Sequence, residues 1–173
     1  SSFYSDQQVR QSLRHELQIQ ENVVLLGFVA RWDPLKDHSN LLQALFILKA
    51  NNPNFACMLV GSEMTALNTA LMQLIYKNEL DDHVILLGPR SDILAIMNAL
   101  DLHILSSFSE SMPLAIIEAM ACGTPCVVTD VGDAALVVGN TGWVVPPKDA
   151  KALAVSIETA IKALKKNGKD ELG

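Results

Sequence analysis

A doubly wound α/β domain, with helices on both faces of a mostly parallel sheet in three layers, is the fold class this sequence predicts. Three observations carry it. Six short apolar runs alternate along the chain with stretches of helical spacing, and the connections between them are brief. Several runs are near-continuous Val, Ile and Leu rather than alternating, which is how strands covered on both faces read. And 173 residues, half of them hydrophobic and 18% charged, suit one well-buried core and exclude a disordered chain.

Taken in order, residues 1–20 read as a lead-in or interdomain segment, weakly helical over 7–17. The domain proper is expected over 21–165. Strands are predicted at 23–30, 55–61, 83–88, 101–106, 125–129 and 142–145, and helices at 38–50, 64–78, 92–99, 113–122 and 149–165. Ser39, Ser91 and Asp149 are placed to cap helix starts, and Pro113 suits a first helical position, where its missing N–H costs nothing. Residues 166–173 form a polar tail, expected to be disordered. The chain begins without Met, and it is expected to be a piece of a longer protein.

Composition closes several doors. A net charge of −6 argues against bulk electrostatic capture of nucleic acid or anionic lipid, although a local basic site is still allowed. Cys57, Cys122 and Cys126 are odd in number and form no Cys-x-x-Cys pair, so neither a disulfide framework nor a zinc site is expected. That usage, with no signal peptide and no apolar run near 18 residues, points to a cytoplasmic protein without a transmembrane segment. No G-x-G-x-x-G follows the first strand and no G-x-x-x-x-G-K-[ST] occurs, so neither a dinucleotide cofactor nor P-loop chemistry is expected. The absence of Asp-x-Asp leaves nothing to suggest a metal-holding carboxylate pair. The four histidines are dispersed, and His103, inside an apolar run, reads as a core residue.

In doubly wound sheets ligands bind beyond the carboxyl ends of the strands. There this sequence concentrates its small, polar and charged residues. Arg31 and Lys36 follow the first strand, a fork and a point charge that suit a diphosphate, unless Asp33 and Asp37 simply neutralise them. Glu110 and Glu118 bracket the helix start at Pro113. Glu118 falls beside Leu114 and Ala121 on an almost wholly apolar helix, where a carboxylate needs hydrogen-bond donors from protein or from ligand hydroxyls. The plainer alternative is a capping Glu110 and a rim Glu118. Free N–H groups around 112–114, at a helix N-terminus, favour an anion.

These residues resemble a known family. The segment ARWDPLKDH (30–38) resembles the G-R-x4-K segment of retaining GT-B glycosyltransferases of the group 1 or family 4 type. SESMPLAIIEAMACGTP (109–125) resembles that family's E-x7-E signature with its E-A-M-A-x-G-x-P continuation, and TDVGD (129–133), GNTG (139–142) and VVPP (144–147) fit the segments that follow. Order and spacing agree over about residues 20–164.

The resemblance implies the C-terminal, Rossmann-like half of a GT-B enzyme, binding a nucleotide sugar (UDP- or GDP-linked) without metal or other cofactor. By that likeness Arg31 and Lys36 neutralise the leaving diphosphate, and Glu110 meets the transferred sugar. The amides of Ser111, Met112, Pro113 and Leu114 touch sugar and phosphate, Glu118 accepts from the ribose, and the turn at Arg90 faces the base. Transfer would retain anomeric configuration and move a hexosyl group to a polysaccharide, lipid or other glycan. No residue is an obvious nucleophile, so the chemistry implied is stabilisation of a leaving diphosphate beside an oxocarbenium-like sugar. Ala30 and Ser111 depart from the family's usual glycines, and Ala134-Ala135-Leu136 stands where some members carry a Glu. The acceptor-binding N-terminal domain of such enzymes has no counterpart in these residues, so this chain is expected to bind donor without transferring. The longer protein would work in the cytoplasm or at a membrane's periphery. A non-catalytic nucleotide-binding module, or another GT-B enzyme such as a sugar-nucleotide epimerase, remains as an alternative.

Overall fold

The structure, a computed structural model, describes residues 2–170. Its elements run α1 (Gln7–Glu16), β1 (Val24–Val29), α2 (His38–Asn51), β2 (Phe55–Val60), α3 (Thr69–Lys77), β3 (Val84–Gly88) and α4 (Ile93–Ala99), then β4 (Leu102–Leu105), α5 (Leu114–Ala121), β5 (Cys126–Thr129), α6 (Ala134–Val138), β6 (Trp143–Val145) and α7 (Ala150–Asp170). A 3-10 turn, Pro34–Lys36, lies between β1 and α2. The strands form one parallel sheet in the order β3-β2-β1-β4-β5-β6. The chain therefore builds outward from β1 to β3, crosses back, and builds the other way from β4. The reversal leaves a crevice between β1 and β4 at their carboxyl ends.

Each strand puts alternate residues into two cores. Leu26, Phe28, Leu59 and Ile104 face α2, α3 and α7, whereas Leu25, Met58, Val60 and Leu105 face α1, α4, α5 and α6. That two-sided burial is why the strands are apolar throughout. Asp101 closes the amino-terminal edge: it pairs with Arg10 at 2.5 Å and Arg14 at 3.3 Å, and accepts from the Leu25 N–H at 2.7 Å. The two guanidiniums also bond backbone carbonyls of residues 98–100, 20 and 23. They dock α1 onto the sheet, so the segment read as a lead-in belongs to the domain's outer layer.

Several local expectations need correction. Asp37, not Ser39, caps α2, because its left-handed backbone (φ 51°) turns its carboxylate onto the Asn40 N–H. Asp92 rather than Ser91 precedes α4, and Pro113 precedes α5 rather than opening it. The helix predicted over 64–78 begins only at Thr69. Met64 is buried as a loop anchor, its carbonyl accepting from the Gly88 N–H, which mimics the start of an apolar helical face. α6 was not anticipated, being only five residues long. α7 runs to Asp170, so residues 166–170 of the tail are helical, and 171–173 lie outside the described residues.

All three cysteines are free and buried, and burial pushes the Cys57 and Cys126 thiols up to about 12. His103 is buried in β4 with both ring nitrogens unpaired, and burial lowers its pKa to about 4. Its folded pKa lies below the unfolded value, so the unfolded chain binds the extra proton between about pH 6.5 and 4, and stability falls as pH falls through that window. Replacing His103 with Leu should remove about 2 kcal/mol of the stability lost between pH 7 and 5. Urea unfolding at the two pH values measures it; an unchanged pH slope would refute it.

Candidate functional site

The crevice at the switch point is walled by the β1–α2 loop on one side and the β4–α5 loop on the other. Both walls are held in place by backbone. On the first, the Trp32 N–H donates to Ser62 O at 3.0 Å, and Gly61, at φ 143°, lets the β2 end pass close under Ala30. A side chain at Gly61 would collide with the Ala30 carbonyl. The two walls are also joined to each other. The buried Ser106 hydroxyl reaches Lys36 O at 2.9 Å and Asp37 O at 3.1 Å, and the Phe108 N–H donates to Leu35 O at 3.0 Å. On the second wall Thr129 Oγ1 donates to Ser107 O at 2.6 Å, while Gly132 lies against the backbone of Glu110 and Ser111.

Between the walls is a cavity of about 380 Å³, lined by Arg31, Lys36, Glu110, Met112, Pro113 and Leu114 among others. Six of the residues singled out from sequence thus converge. Lys36 pairs with Glu110, across 74 positions of sequence, and both are largely withdrawn from solvent, at 22% and 9% exposure. The pairing of Lys36 with Asp33 or Asp37 that the sequence left open does not form. For Arg31 the plainer reading holds: it is 70% exposed and forks Asp33 at 3.0 and 3.2 Å. The Leu35 N–H, and secondarily Arg31, hold the Asp33 carboxyl below its ordinary value. Both cations of the rim therefore already have a carboxylate.

His38 sits just behind this loop, its ring tilted against Trp32 at 4.6 Å and edge-to-face with Phe28 at 5.0 Å between centroids. Burial drives its pKa down to about 4, so near neutral pH it is an uncharged wedge under the loop. Lys148, from the loop after β6, lies 4.3 Å from the Phe108 ring centroid and braces the other wall.

The α5 N-terminus offers fewer donors than expected. Pro113 has no N–H, and the Leu114 N–H is used by Met112 O at 3.1 Å. The N–H groups of Ser111, Met112 and Ala115 make no hydrogen bond among the described residues, and these are the available donors. Glu118 does not line the cavity; it lies one turn further along α5 than Leu114 and Ala115. No hydrogen bond to its carboxylate forms among the described residues, and partial burial raises its pKa. Such a group is an acceptor waiting for a donor. Arg90 stands apart as well, at the end of β3. It forks Asp92 at 2.7 and 2.6 Å and reaches Glu16 of α1 at 3.6 Å. Its side chain is engaged, so a ligand there would meet backbone.

The supporting residues Ser106, Ser107, Thr129 and Gly132 were not singled out from sequence as site residues. Their signal in the sequence is small residues at strand carboxyl ends and, for Thr129 and Gly132, the TDVGD segment of the motif resemblance. A larger cavity, about 660 Å³, opens at the opposite, amino-terminal edge beside Arg10, Asp101 and Lys165. The Arg10 guanidinium there is already consumed by three carbonyls and Asp101. Among the described residues no three His, Cys, Asp or Glu side chains gather as a metal site would require, and no helix is long and apolar enough to cross a membrane.

Residues 9–169 match the sequence profile of the glycosyl transferases group 1. The chain belongs to this family. It is 30% identical, over 88% of its length and 39% of the relative's, to N-acetyl-alpha-D-glucosaminyl L-malate synthase of Bacillus anthracis. It is 32% identical, over 94% of its length and 41% of the relative's, to D-inositol 3-phosphate glycosyltransferase of Saccharomonospora viridis. Among solved structures it resembles Anabaena HepE in complex with UDP and glucose, with a TM-score of 0.84, 29% identity, and coverage of 95% of this chain and 45% of that one. The fold also matches the C-terminal domain of a group 1 glycosyl transferase family protein from Francisella tularensis, with a TM-score of 0.78 at 21% identity over 92% of this chain and 85% of that one. This group 1 domain spans about two fifths of the length of these curated relatives. The motif resemblance and the all-parallel three-layer fold therefore agree.

Proposed function

We propose that this chain is the donor half of a glycosyltransferase and binds a nucleoside-diphosphate sugar in the β1–β4 crevice. The observation that carries the reading is the meeting of Lys36, Glu110 and the unpaired amides of Met112 and Ala115 in one cavity at the switch point, with the unpaired Ser111 amide next to it in the chain. A solved relative, HepE, is in complex with UDP-glucose, which makes a UDP-sugar the first donor to test.

In this reading the diphosphate lies between the ammonium of Lys36, the exposed fork of Arg31 and the amides at the start of α5. Negative charge that builds on the diphosphate as the glycosidic bond breaks is met by groups already in place, held by Ser106, Thr129 and Gly132. To meet the diphosphate, Lys36 and Arg31 exchange part of their pairing with Glu110 and Asp33 for phosphate oxygens, and this reading calls on no metal ion. Glu110 accepts from a hydroxyl of the sugar and Glu118 from the ribose. Transfer of the hexosyl group proceeds with retention, and a second domain outside this chain brings the acceptor, a polysaccharide, lipid or other glycan. This chain alone holds donor and does not transfer it.

Calorimetric titration of the folded chain with UDP, GDP and ADP tests the reading. Saturable binding of at least one is expected, and no binding by any of the three would overturn it.

A further inference from the structure

We infer that Glu110, positioned by Ser107, makes this site discriminate a nucleotide sugar from the free nucleoside diphosphate that transfer leaves behind. The inference rests on the donor-site reading above and concerns how that site tells substrate from product.

Glu110 Oε1 accepts from both Lys36 Nζ and Ser107 Oγ, the latter at 2.7 Å. Ser107 is wholly buried and its own carbonyl is tied to Thr129 Oγ1, so its hydroxyl is fixed by the sheet. Among the described residues no donor reaches Oε2, although Glu110 lines the cavity. The carboxylate is thus clamped through one oxygen and offers the other. Because the side chain is only 9% exposed, water screens it poorly.

A sugar hydroxyl can donate to Oε2. A terminal phosphate has little to donate near neutral pH, and it carries about one more negative charge than the same phosphate esterified to a sugar. The diphosphate of either ligand competes with Glu110 for Lys36, so the difference between them lies in the extra charge and the missing hydroxyl. One carboxylate therefore favours the sugar-bearing ligand and repels the bare diphosphate. Ser107 is a positioning residue: it acts through the orientation of Glu110.

The test compares UDP and UDP-glucose by calorimetry on the wild-type chain, Glu110→Gln and Ser107→Ala. Glu110→Gln should tighten UDP about tenfold, as expected for removal of a like charge nearby, and should not tighten UDP-glucose correspondingly. Ser107→Ala should shift the UDP to UDP-glucose affinity ratio the same way by about threefold. A merely structural serine would weaken both ligands alike. Glu110→Asp keeps the charge but withdraws it from Ser107, so it should leave UDP without the tenfold gain even if either other variant fails to fold. An affinity ratio identical in wild type and Glu110→Gln, or a gain for UDP in Glu110→Asp equal to that in Glu110→Gln, would overturn the inference. Failure of the wild-type chain to bind either ligand would instead remove the donor-site reading.

Discussion

Replacing Lys36 with Ala is expected to weaken binding of UDP about a hundredfold while leaving uridine almost unaffected. A charge-assisted hydrogen bond to phosphate contributes roughly 1.5–3 kcal/mol, and its loss accounts for most of that factor. The remainder comes from Glu110. Without the ammonium its carboxylate keeps only the Ser107 hydroxyl as a partner, at 9% exposure, and faces the diphosphate as an unmatched like charge. The backbone should not move, because the Lys36 and Asp37 carbonyls are held by Ser106 and Asp37 caps α2 from the same loop. Calorimetry with both ligands separates the possibilities. Equal losses for UDP and uridine would mean that Lys36 shapes the pocket rather than meeting the diphosphate.

The second large effect is expected at Gly132, where substitution by Ala should cost about 3 kcal/mol of folding stability. Its φ of +50° is one penalty, of roughly 1 kcal/mol for a side chain in the left-handed region. The larger penalty is steric. A Cβ would fall 2.7 Å from the Ser111 carbonyl oxygen and closer still to that of Glu110. Those are backbone atoms of a turn braced by Thr129 and Ser107, so they cannot swing aside as a flexible side chain would. Relief would require moving the Glu110 turn itself, and UDP-glucose affinity should fall with stability. Gly123 is the control. Its φ is +78°, but a Cβ there would meet nothing nearer than the Ser5 side chain at 3.8 Å, an ordinary contact. Gly123→Ala should cost only the conformational part and leave the donor site intact. Urea unfolding of both variants measures the difference, and equal costs would contradict the close-approach argument.

These two residues show how unevenly the sequence discloses the molecule. The strands were legible because burial on both faces forces continuous apolar runs, and each observed strand lies within its predicted run. Lys36 and Glu110 were legible singly, from charge at strand ends and from the motif resemblance. Their pairing was not. It depends on β4 returning to the side of β1, a property of strand order that places residues 74 apart in contact, while Asp33 and Asp37 are nearer in sequence. Gly132 was legible only as part of a motif, since its need for glycine comes from a carbonyl more than twenty residues earlier. Short-range patterns also misled where burial lacked regular structure, as at Met64, or where two acidic and hydroxyl residues competed for one cap, as Asp37 and Ser39 did. Glu118 is the opposite case. Its misfit on an apolar helix was visible in the sequence, and the structure finds that carboxylate still without a donor among the described residues.

A crystal structure of this chain with UDP-glucose tests most directly whether donor diphosphate binds between β1 and β4. Diphosphate oxygens are expected against Lys36 Nζ and the N–H groups of Ser111, Met112 and Ala115, with the ribose hydroxyls at Glu118. A nucleotide seated instead at the opposite edge of the sheet, in the larger cavity beside Arg10, Asp101 and Lys165, would contradict it.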